Sequence, residues 1–203
     1  GMVVSDAREA SEVGAAILEQ GGNAVDAAVA VGFALAVVHP SAGNLGGGGF
    51  MVTRMANGQA FALDYRETEP AAAHRDLYLD ADGDVIPGLS RDTHLASGVP
   101  GSVDGLLRAW RDHGSGNISR KQLLKPAIRL AERGFPVTRF LASNLNAYRS
   151  SFEKHPGSAK SFIKADGSAW KAGDVLVQRD LANTLKRIAR HGRDGFYSGS
   201  VAD

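Results

Sequence analysis

Two short stretches decide the fold: NLGGGGF at residues 44–50 and DYRE at residues 64–67. The first follows a helix-like segment that ends at the His-Pro pair of residues 39–40, and it leads into β-like residues. A run of glycines is costly in conformational entropy, so the path of the backbone must matter there. Either the chain makes a tightly packed turn in which no Cβ fits, or its backbone N–H groups form a nest that binds an anion.

The glycine run does not fit the common nucleotide-binding loops. A Walker A loop carries Lys and then Ser or Thr after its last glycine, but Gly49 and Phe50 stand at those positions. A Rossmann loop leads from a strand into a helix, whereas this run leads from a helix into a strand. The sequence therefore disfavours nucleotide binding.

The glycine run is followed by the pattern of a β-hairpin. Residues 50–55 and 59–65 read as strands, and the Asn-Gly pair at residues 57–58 tolerates the positive φ of a tight turn. Arg66 ends the second strand, beside Glu67. A guanidinium grips a carboxylate with two parallel hydrogen bonds, which suits recognition of an amino-acid end group. The alternative is an ordinary surface arginine or one half of an ion pair.

Helical patterns flank the hairpin along the sequence. Asn23 can cap a helix that runs to about Val38 and is apolar nearly all round, which predicts burial on every side. Before it, residues 2–4 read as a short buried strand, and Asp6 with Glu9 has the shape of a capping box. The other predicted helices begin at the caps Ser102, Ser119 and Thr138, the last running to residue 155, and a further one covers residues 179–191.

The composition is that of an ordinary globular protein. Of 203 residues, 43% are hydrophobic and 22% are charged, and the 23 Lys and Arg are balanced by 22 Asp and Glu without a basic cluster, which argues against a nucleic-acid partner. The longest apolar stretch, residues 27–38, is shorter than the about 18 residues of a membrane span. Because Cys is absent and no two His residues have a metal-ligand spacing, we expect no disulfide, no thiolate nucleophile and no metal site.

No nucleophile with a neighbouring base stands out in the sequence. The segment GSVDG at residues 101–105 has its serine one place too early for the G-x-S-x-G elbow of a hydrolase. Ser102 is better explained as a helix cap. We therefore assign no catalytic residue from the sequence pattern.

Several blocks of sequence together resemble the large subunit of bacterial γ-glutamyltransferases, also called glutathione hydrolases. Any one block is weak support, but their order is that of the family and they cover essentially the whole chain. The blocks are GMVVS at 1–5, GGNAVDAA at 21–28, HP at 39–40 leading into 44–50, DYRE at 64–67, SGVPG at 97–101, KPA at 125–127 with GF at 134–135, GD at 173–174 through VQ at 177–178, and GFY at 195–197.

The resemblance implies an N-terminal nucleophile hydrolase of the α+β class, built as an αββα sandwich. Residues 1–203 are then expected to form a single incomplete domain, the N-terminal portion of the large subunit, with mostly helices and a central hairpin. In this family one precursor cleaves itself, and the new N-terminal threonine of the small subunit is the nucleophile, with its α-amino group as base. The enzyme takes the γ-glutamyl group from glutathione or a related amide and passes it to water, an amino acid or a short peptide, without a cofactor.

Arg66 matches the arginine that, in this family, binds the α-carboxylate of the γ-glutamyl donor. It is the substrate-binding residue that the resemblance assigns to this chain. The resemblance places the threonine nucleophile further along the precursor, so it assigns no catalytic residue here. The expected partners are the donor, the small subunit and the remainder of the large subunit. The isolated chain is expected neither to process itself nor to hydrolyse γ-glutamyl amides.

Other expectations stay open at the level of sequence. The all-apolar helix and the hairpin require covering layers, so the isolated chain is expected to expose apolar surface and to self-associate. Family resemblance suggests a periplasmic or secreted enzyme. The alternatives are another enzyme of the same fold, such as a cephalosporin or glutaryl acylase or a poly-γ-glutamate transferase, and a non-catalytic module that binds amino acids or a protein partner.

Overall fold

The computed structural model describes residues 1–203 as a helix-rich α+β chain with two small antiparallel sheets. None of its helices combines the length and the apolar character needed to cross a membrane. The elements are α1 Arg8–Glu19, α2 Ala24–Val38, β1 Phe50–Arg54, β2 Ala60–Asp64, α3 Ser102–His113, α4 Arg120–Arg133, β3 Phe135–Pro136, α5 Arg139–Ala147, α6 Arg149–Glu153, α7 Pro156–Phe162, β4 Val175–Leu176, α8 Arg179–His191 and α9 Asp194–Tyr197, with short 3-10 helices at His94–Ala96 and Gly199–Val201.

The chain divides into two compact units. One is formed by residues 1–44 together with residues 107–203, and we call it the helical unit. The other is formed by residues 45–106, and we call it the hairpin unit. The expected description of residues 1–203 as a single incomplete domain stays a prediction.

Helix α2 is the centre of the helical unit. Helices α1 and α4 pack against it, and α8 packs against α4. Val29, Phe33 and Val37 of α2 have 0% of their surface exposed. Burial of one such side chain stabilises a fold by about 1.5–3 kcal/mol relative to exposure. The predicted burial on every side holds for most of α2, but Ala24 and Ala28 are exposed and Gly32 and Leu35 are half-buried.

The start of α2 is tied to the chain that follows α3. The side chain of Asn23 accepts the N–H of Asp26, and Asp26 in turn accepts the N–H of Asn23, which completes a capping box. Oδ2 of Asp26 also accepts the N–H of Ser115 over 3.0 Å. Nδ2 of Asn23 donates to the carbonyl of His113 over 2.8 Å. The carboxylate of Asp26 is 0% exposed, and its hydrogen bonds join the start of α2 to the segment that follows α3.

The prediction for the first residues of the chain is wrong. Residues 2–4 form no strand, and Met2 and Val4 are 88% and 83% exposed. Helix α1 begins after Ala7, and Asp6 does not cap it. The hydroxyl of Ser5 instead donates to the carbonyl of Ala7 over 2.9 Å, so a different polar side chain shapes this turn.

The helix predicted to run from Thr138 to residue 155 is interrupted. Thr138 caps α5 as expected, but α5 ends before Tyr148, whose φ of −92° and ψ of 7° break the helical geometry. Asn146 exchanges two hydrogen bonds with the backbone of Trp170, at 2.8 and 2.9 Å. This contact holds the last turn of α5 against a distant segment, and local periodicity does not reveal it. Pro156 begins α7 instead of ending a helix.

The hairpin unit contains the β1–β2 hairpin that the sequence predicts. The strands pair antiparallel with Phe50 opposite Asp64 and Arg54 opposite Ala60. Gly58 at the turn has a φ of +86°, which glycine adopts without strain. Exposed and half-buried residues alternate along both strands. The hairpin therefore has one face packed within the unit and one face open.

Candidate functional site

Arg66 lies two residues after the end of β2 and presents an open guanidinium. Its side chain is 68% exposed, and that of Glu67 is 35% exposed. The backbone N–H of Arg66 donates to Oδ1 of Asp64 over 2.9 Å, which fixes the turn at the end of the strand. Nε of Arg66 lies 3.7 Å from Oε2 of Glu67, longer than a hydrogen bond. The guanidinium keeps its capacity to bind a further anion.

The pairing of Arg66 with Glu67 is a weak competitor for such an anion. Exposed ion pairs contribute at most about 1 kcal/mol, because water screens both charges. A ligand carboxylate would instead accept two parallel, charge-assisted hydrogen bonds of about 2.7–2.9 Å from the guanidinium. The arrangement therefore suits recognition of a carboxylate better than a permanent structural ion pair.

Close packing explains the glycines at positions 48 and 49 of the run. None of Gly46 to Gly49 has a positive φ, so these residues are not needed for a left-handed backbone. A Cβ on Gly48 would lie 2.6 Å from the carbonyl oxygen of Tyr65 and 2.7 Å from Cα of Arg66. The N–H of Gly49 donates to Tyr65 over 3.3 Å and is not left to bind an anion. Of the two explanations of the run, this geometry favours the tightly packed turn.

A second pair of glycines approaches the same residues from the chain around α3. A Cβ on Gly101 would overlap the carbonyl oxygen of Tyr65, and a Cβ on Gly105 would overlap its side chain. The carbonyl of Gly47 accepts the N–H groups of Gly101 and Ser102 over 2.8 and 2.9 Å. The block at residues 97–101 enters the sequence argument only as part of the family pattern. Its structural purpose is to let α3 begin against the end of the hairpin.

Tyr65 fills the space between these glycines. Its ring lies over Gly49 at one end and against Gly105 at the other. Burial raises the pKa of its hydroxyl above the ordinary value of 10.0, so the ring is neutral at pH 7. Sequence reasoning assigns this ring no part in a site. The ring's position could be found only from the proximity of Gly49 and Gly105, which belong to separate segments of the chain.

Three polar side chains that line a cavity of the helical unit already have partners within the chain. A cavity of 740 Å³ in the helical unit is lined partly by Lys160, Ser161 and Asp180. Lys160 and Asp180 pair with each other over 2.7 Å, and the hydroxyl of Ser161 donates to a backbone carbonyl of its own helix. No three His, Asp or Glu side chains converge as a metal site would require. Helix α3 begins at Ser102 itself, whose side chain is 4% exposed.

Comparison with known proteins gives consistent results. A family model described as gamma-glutamyltranspeptidase matches residues 10–203. A glutathione hydrolase proenzyme of Pseudomonas sp. strain A14 is 48% identical over 203 residues, which are 100% of this chain and 35% of that protein. The chain thus spans about a third of the length of the curated relatives that it matches.

Solved structures show the same likeness. The crystal structure of Helicobacter pylori gamma-glutamyltranspeptidase is 48% identical with a TM-score of 0.95, over 100% of this chain and 57% of that one. A cephalosporin acylase from Bacillus halodurans is 25% identical with a TM-score of 0.81, over 96% of this chain and 36% of that one. These likenesses confirm the predicted α+β fold class of N-terminal nucleophile hydrolases, represented here in part by the helices and the hairpin.

Proposed function

Because the chain belongs to the gamma-glutamyltranspeptidase family, we propose that the enzyme containing it cleaves the γ-glutamyl amide of glutathione and related compounds. Residues 1–203 would be the N-terminal part of its large subunit. The observation that carries the proposal for this chain is the open guanidinium of Arg66, held on a fixed backbone at the end of β2. Arg66 binds the α-carboxylate of the donor.

The reaction that this binding serves is an acyl transfer. The hydroxyl of the small-subunit threonine attacks the carbonyl carbon of the γ-amide, and the amine leaves with the proton that the threonine gives up. Water, an amino acid or a short peptide then attacks the γ-glutamyl ester and regenerates the hydroxyl. Arg66 contributes by orientation, since a donor bound through its α-carboxylate has its γ-carbonyl carbon at a fixed distance from the guanidinium.

Replacing Arg66 in the complete enzyme tests the proposal. Loss of hydrogen bonds to a charged group costs about 1.5–3 kcal/mol, so Arg66→Ala is expected to raise the KM for γ-glutamyl-p-nitroanilide about 10- to 100-fold. Arg66→Lys keeps the positive charge but cannot donate two parallel hydrogen bonds, so it should restore only part of the donor affinity lost in Arg66→Ala. The measurement is steady-state release of p-nitroaniline.

Arg54 offers a matched control for that experiment. It is an exposed arginine of the same hairpin, paired with Ala60 next to the turn. Arg54→Ala should leave the KM within about twofold, because exposed charges away from a site have small effects. An unchanged KM in Arg66→Ala would contradict the proposed role of Arg66.

A related acylase activity is the second candidate function. The likeness to the Bacillus halodurans cephalosporin acylase supports it, at lower identity. A glutaryl donor lacks the α-amino group of a γ-glutamyl donor, so assays of matched glutaryl and γ-glutamyl p-nitroanilides separate the two activities. We expect the complete enzyme to prefer the γ-glutamyl donor, and a preference for the glutaryl donor would favour the acylase.

Family membership also supports a periplasmic or secreted location for the complete enzyme. Fractionation of the source cells, with activity assayed in each fraction, tests this. Activity confined to the cytoplasmic fraction would contradict it.

A further inference from the structure

The geometry points to Tyr65 as a positioning residue for the donor site: we propose that its ring, wedged between Gly49 and Gly105, sets the position of Arg66 and so the affinity for the donor carboxylate. The inference rests on the proposed role of Arg66. Tyr65 itself is not proposed to touch the substrate. Three sets of contacts within the hairpin unit support this role.

The first contact is a cross-strand pair between Tyr65 and Gly49. The N–H of Tyr65 donates to Gly49 over 3.0 Å, and the N–H of Gly49 donates back over 3.3 Å. A Cβ on Gly49 would lie 2.8 Å from Cε2 of the ring, and 3.1 Å from both Cζ and the hydroxyl oxygen. The ring therefore lies across the glycine that faces it, an arrangement that pins the register of strand pairs.

The second contact fixes the root of the ring. A Cβ on Gly105 of α3 would overlap Cβ and Cγ of Tyr65 and would lie 2.8 Å from Cδ1. Helix and strand can approach this closely only because Gly105 has no side chain. The ring is thus held by Gly105 of α3 at its base and by Gly49, which precedes β1, at its tip. At both glycines the nearest atom of Tyr65 is a carbon, so the shape of the side chain defines this contact.

The third set of contacts holds the backbone of Arg66 in place. A Cβ on Gly48 would lie 2.7 Å from Cα of Arg66, and one on Gly101 would lie 2.9 Å from its carbonyl oxygen. The backbone of Arg66 is therefore enclosed on two sides, next to the wedged ring. Tyr65 is half-buried whereas the Arg66 side chain is 68% exposed, so Tyr65 anchors the packed side of the chain while Arg66 projects outward.

Tyr65→Leu and Tyr65→Phe in the complete enzyme separate shape from polarity. Small displacements of a substrate-positioning group reduce catalysis by up to about 100-fold. We expect Tyr65→Leu to raise the KM for γ-glutamyl-p-nitroanilide about tenfold, with kcat changed less than about threefold. Tyr65→Phe keeps the ring and should change the KM less than about twofold. A tenfold rise in Tyr65→Phe, or none in Tyr65→Leu, would overturn the inference.

A donor without the carboxylate distinguishes positioning from general damage. In 4-aminobutanoyl-p-nitroanilide a hydrogen replaces the α-carboxylate of the γ-glutamyl group, so Arg66 has nothing to grip. Tyr65→Leu is expected to leave kcat/KM for this donor within about twofold of the parent enzyme, while that for the γ-glutamyl donor falls about tenfold. Equal losses for both donors would show a merely structural role for Tyr65.

A size exchange provides a variant that retains Tyr65. The three atoms nearest to a Cβ on Gly49 belong to the outer part of the Tyr65 ring, which leucine lacks. Gly49→Ala should therefore raise the donor KM by pushing the ring, and adding Tyr65→Leu should make it no worse than Tyr65→Leu alone. If Tyr65→Leu fails to fold, Gly49→Ala with the two donors carries the same test. If the rises in KM of the two single variants added up in the double variant, the proposed contact between Gly49 and the Tyr65 ring would be contradicted.

A double-mutant cycle with Arg66 separates the failure of this inference from that of the proposed function. If Tyr65 acts through Arg66, then Tyr65→Leu adds less than about a twofold rise in KM to Arg66→Ala. If Arg66→Ala alone leaves the KM unchanged, the proposed function fails. If Arg66→Ala raises the KM but Tyr65→Leu does not, only the positioning role is lost.

Discussion

Glycines from two segments enclose Tyr65 and Arg66, and each of them excludes a methyl group at a different point. Gly48 and Gly101 meet backbone atoms, whereas Gly49 and Gly105 meet the side chain of Tyr65. Backbone atoms cannot move aside as the end of a side chain can, so substitutions at these glycines should differ in severity. At the scale of single residues, these four glycines therefore meet separate steric requirements.

Gly48→Ala is expected to destabilise the protein by about 1–3 kcal/mol, because its Cβ would overlap the backbone of residues 65–67. Gly46→Ala is the matched control in the same run. A Cβ on Gly46 would meet nothing within 4 Å, and the change should stay within about 0.5 kcal/mol. Denaturant unfolding of both variants and the parent measures the difference. Equal stabilities for the two variants would contradict the steric explanation of the run.

At the scale of elements, the sequence predicts those whose signals are local. The cap of α2 at Asn23, its apolar surface and the Asn-Gly turn of the hairpin are all visible within a few residues, and the structure confirms them. The break at Tyr148 and the pairing of β3 with β4 depend on segments distant in the chain. Strands of two residues have no periodicity to read, so no pattern predicts that sheet.

Asp26→Asn tests the buried junction at the start of α2. Oδ2 of Asp26 accepts two backbone N–H groups, and the whole side chain is 0% exposed. An amide loses the charge and leaves a buried N–H₂ group without a partner, so we expect a loss of about 1–3 kcal/mol in the free energy of unfolding.

Asp180 supplies the control for Asp26→Asn. It also lies in the first turn of a helix, α8, but its side chain is 73% exposed and pairs with Lys160. Asp180→Asn should cost less than about 1 kcal/mol, since exposed ion pairs stabilise little. If both substitutions had the same effect on denaturant unfolding, the burial of Asp26 would not be the cause of its importance.

At the scale of the whole molecule, the open face of the hairpin stands out. Phe50 and Val52 are 62% and 84% exposed, on the same side of β1. Val52 lies opposite Ala62, which adds to the apolar strip. Exposed strands of this kind favour association with other chains.

The polypeptide of residues 1–203, expressed by itself, is therefore expected to self-associate. Val52→Lys places a charge in the strip and should lower the mean mass measured by light scattering, as charges on exposed strands oppose pairing. Met2→Lys is the control, because Met2 is 88% exposed but lies outside the hairpin. A monodisperse monomer of the unsubstituted polypeptide would contradict the prediction.

The sequence by itself determined the buried α2, the β1–β2 hairpin, the family and the choice of Arg66 as the residue to test. The first two depend on residue types within one short segment, where periodicity, caps and turn residues act directly, whereas the family and the choice of Arg66 depend on the order of sequence blocks along the whole chain. Only the tertiary structure decided why Gly48, Gly49, Gly101 and Gly105 must be small, and that Tyr65 fills the space between them. Steric exclusion joins residues that are distant in the chain, so it exists only once β1, β2 and α3 have come together.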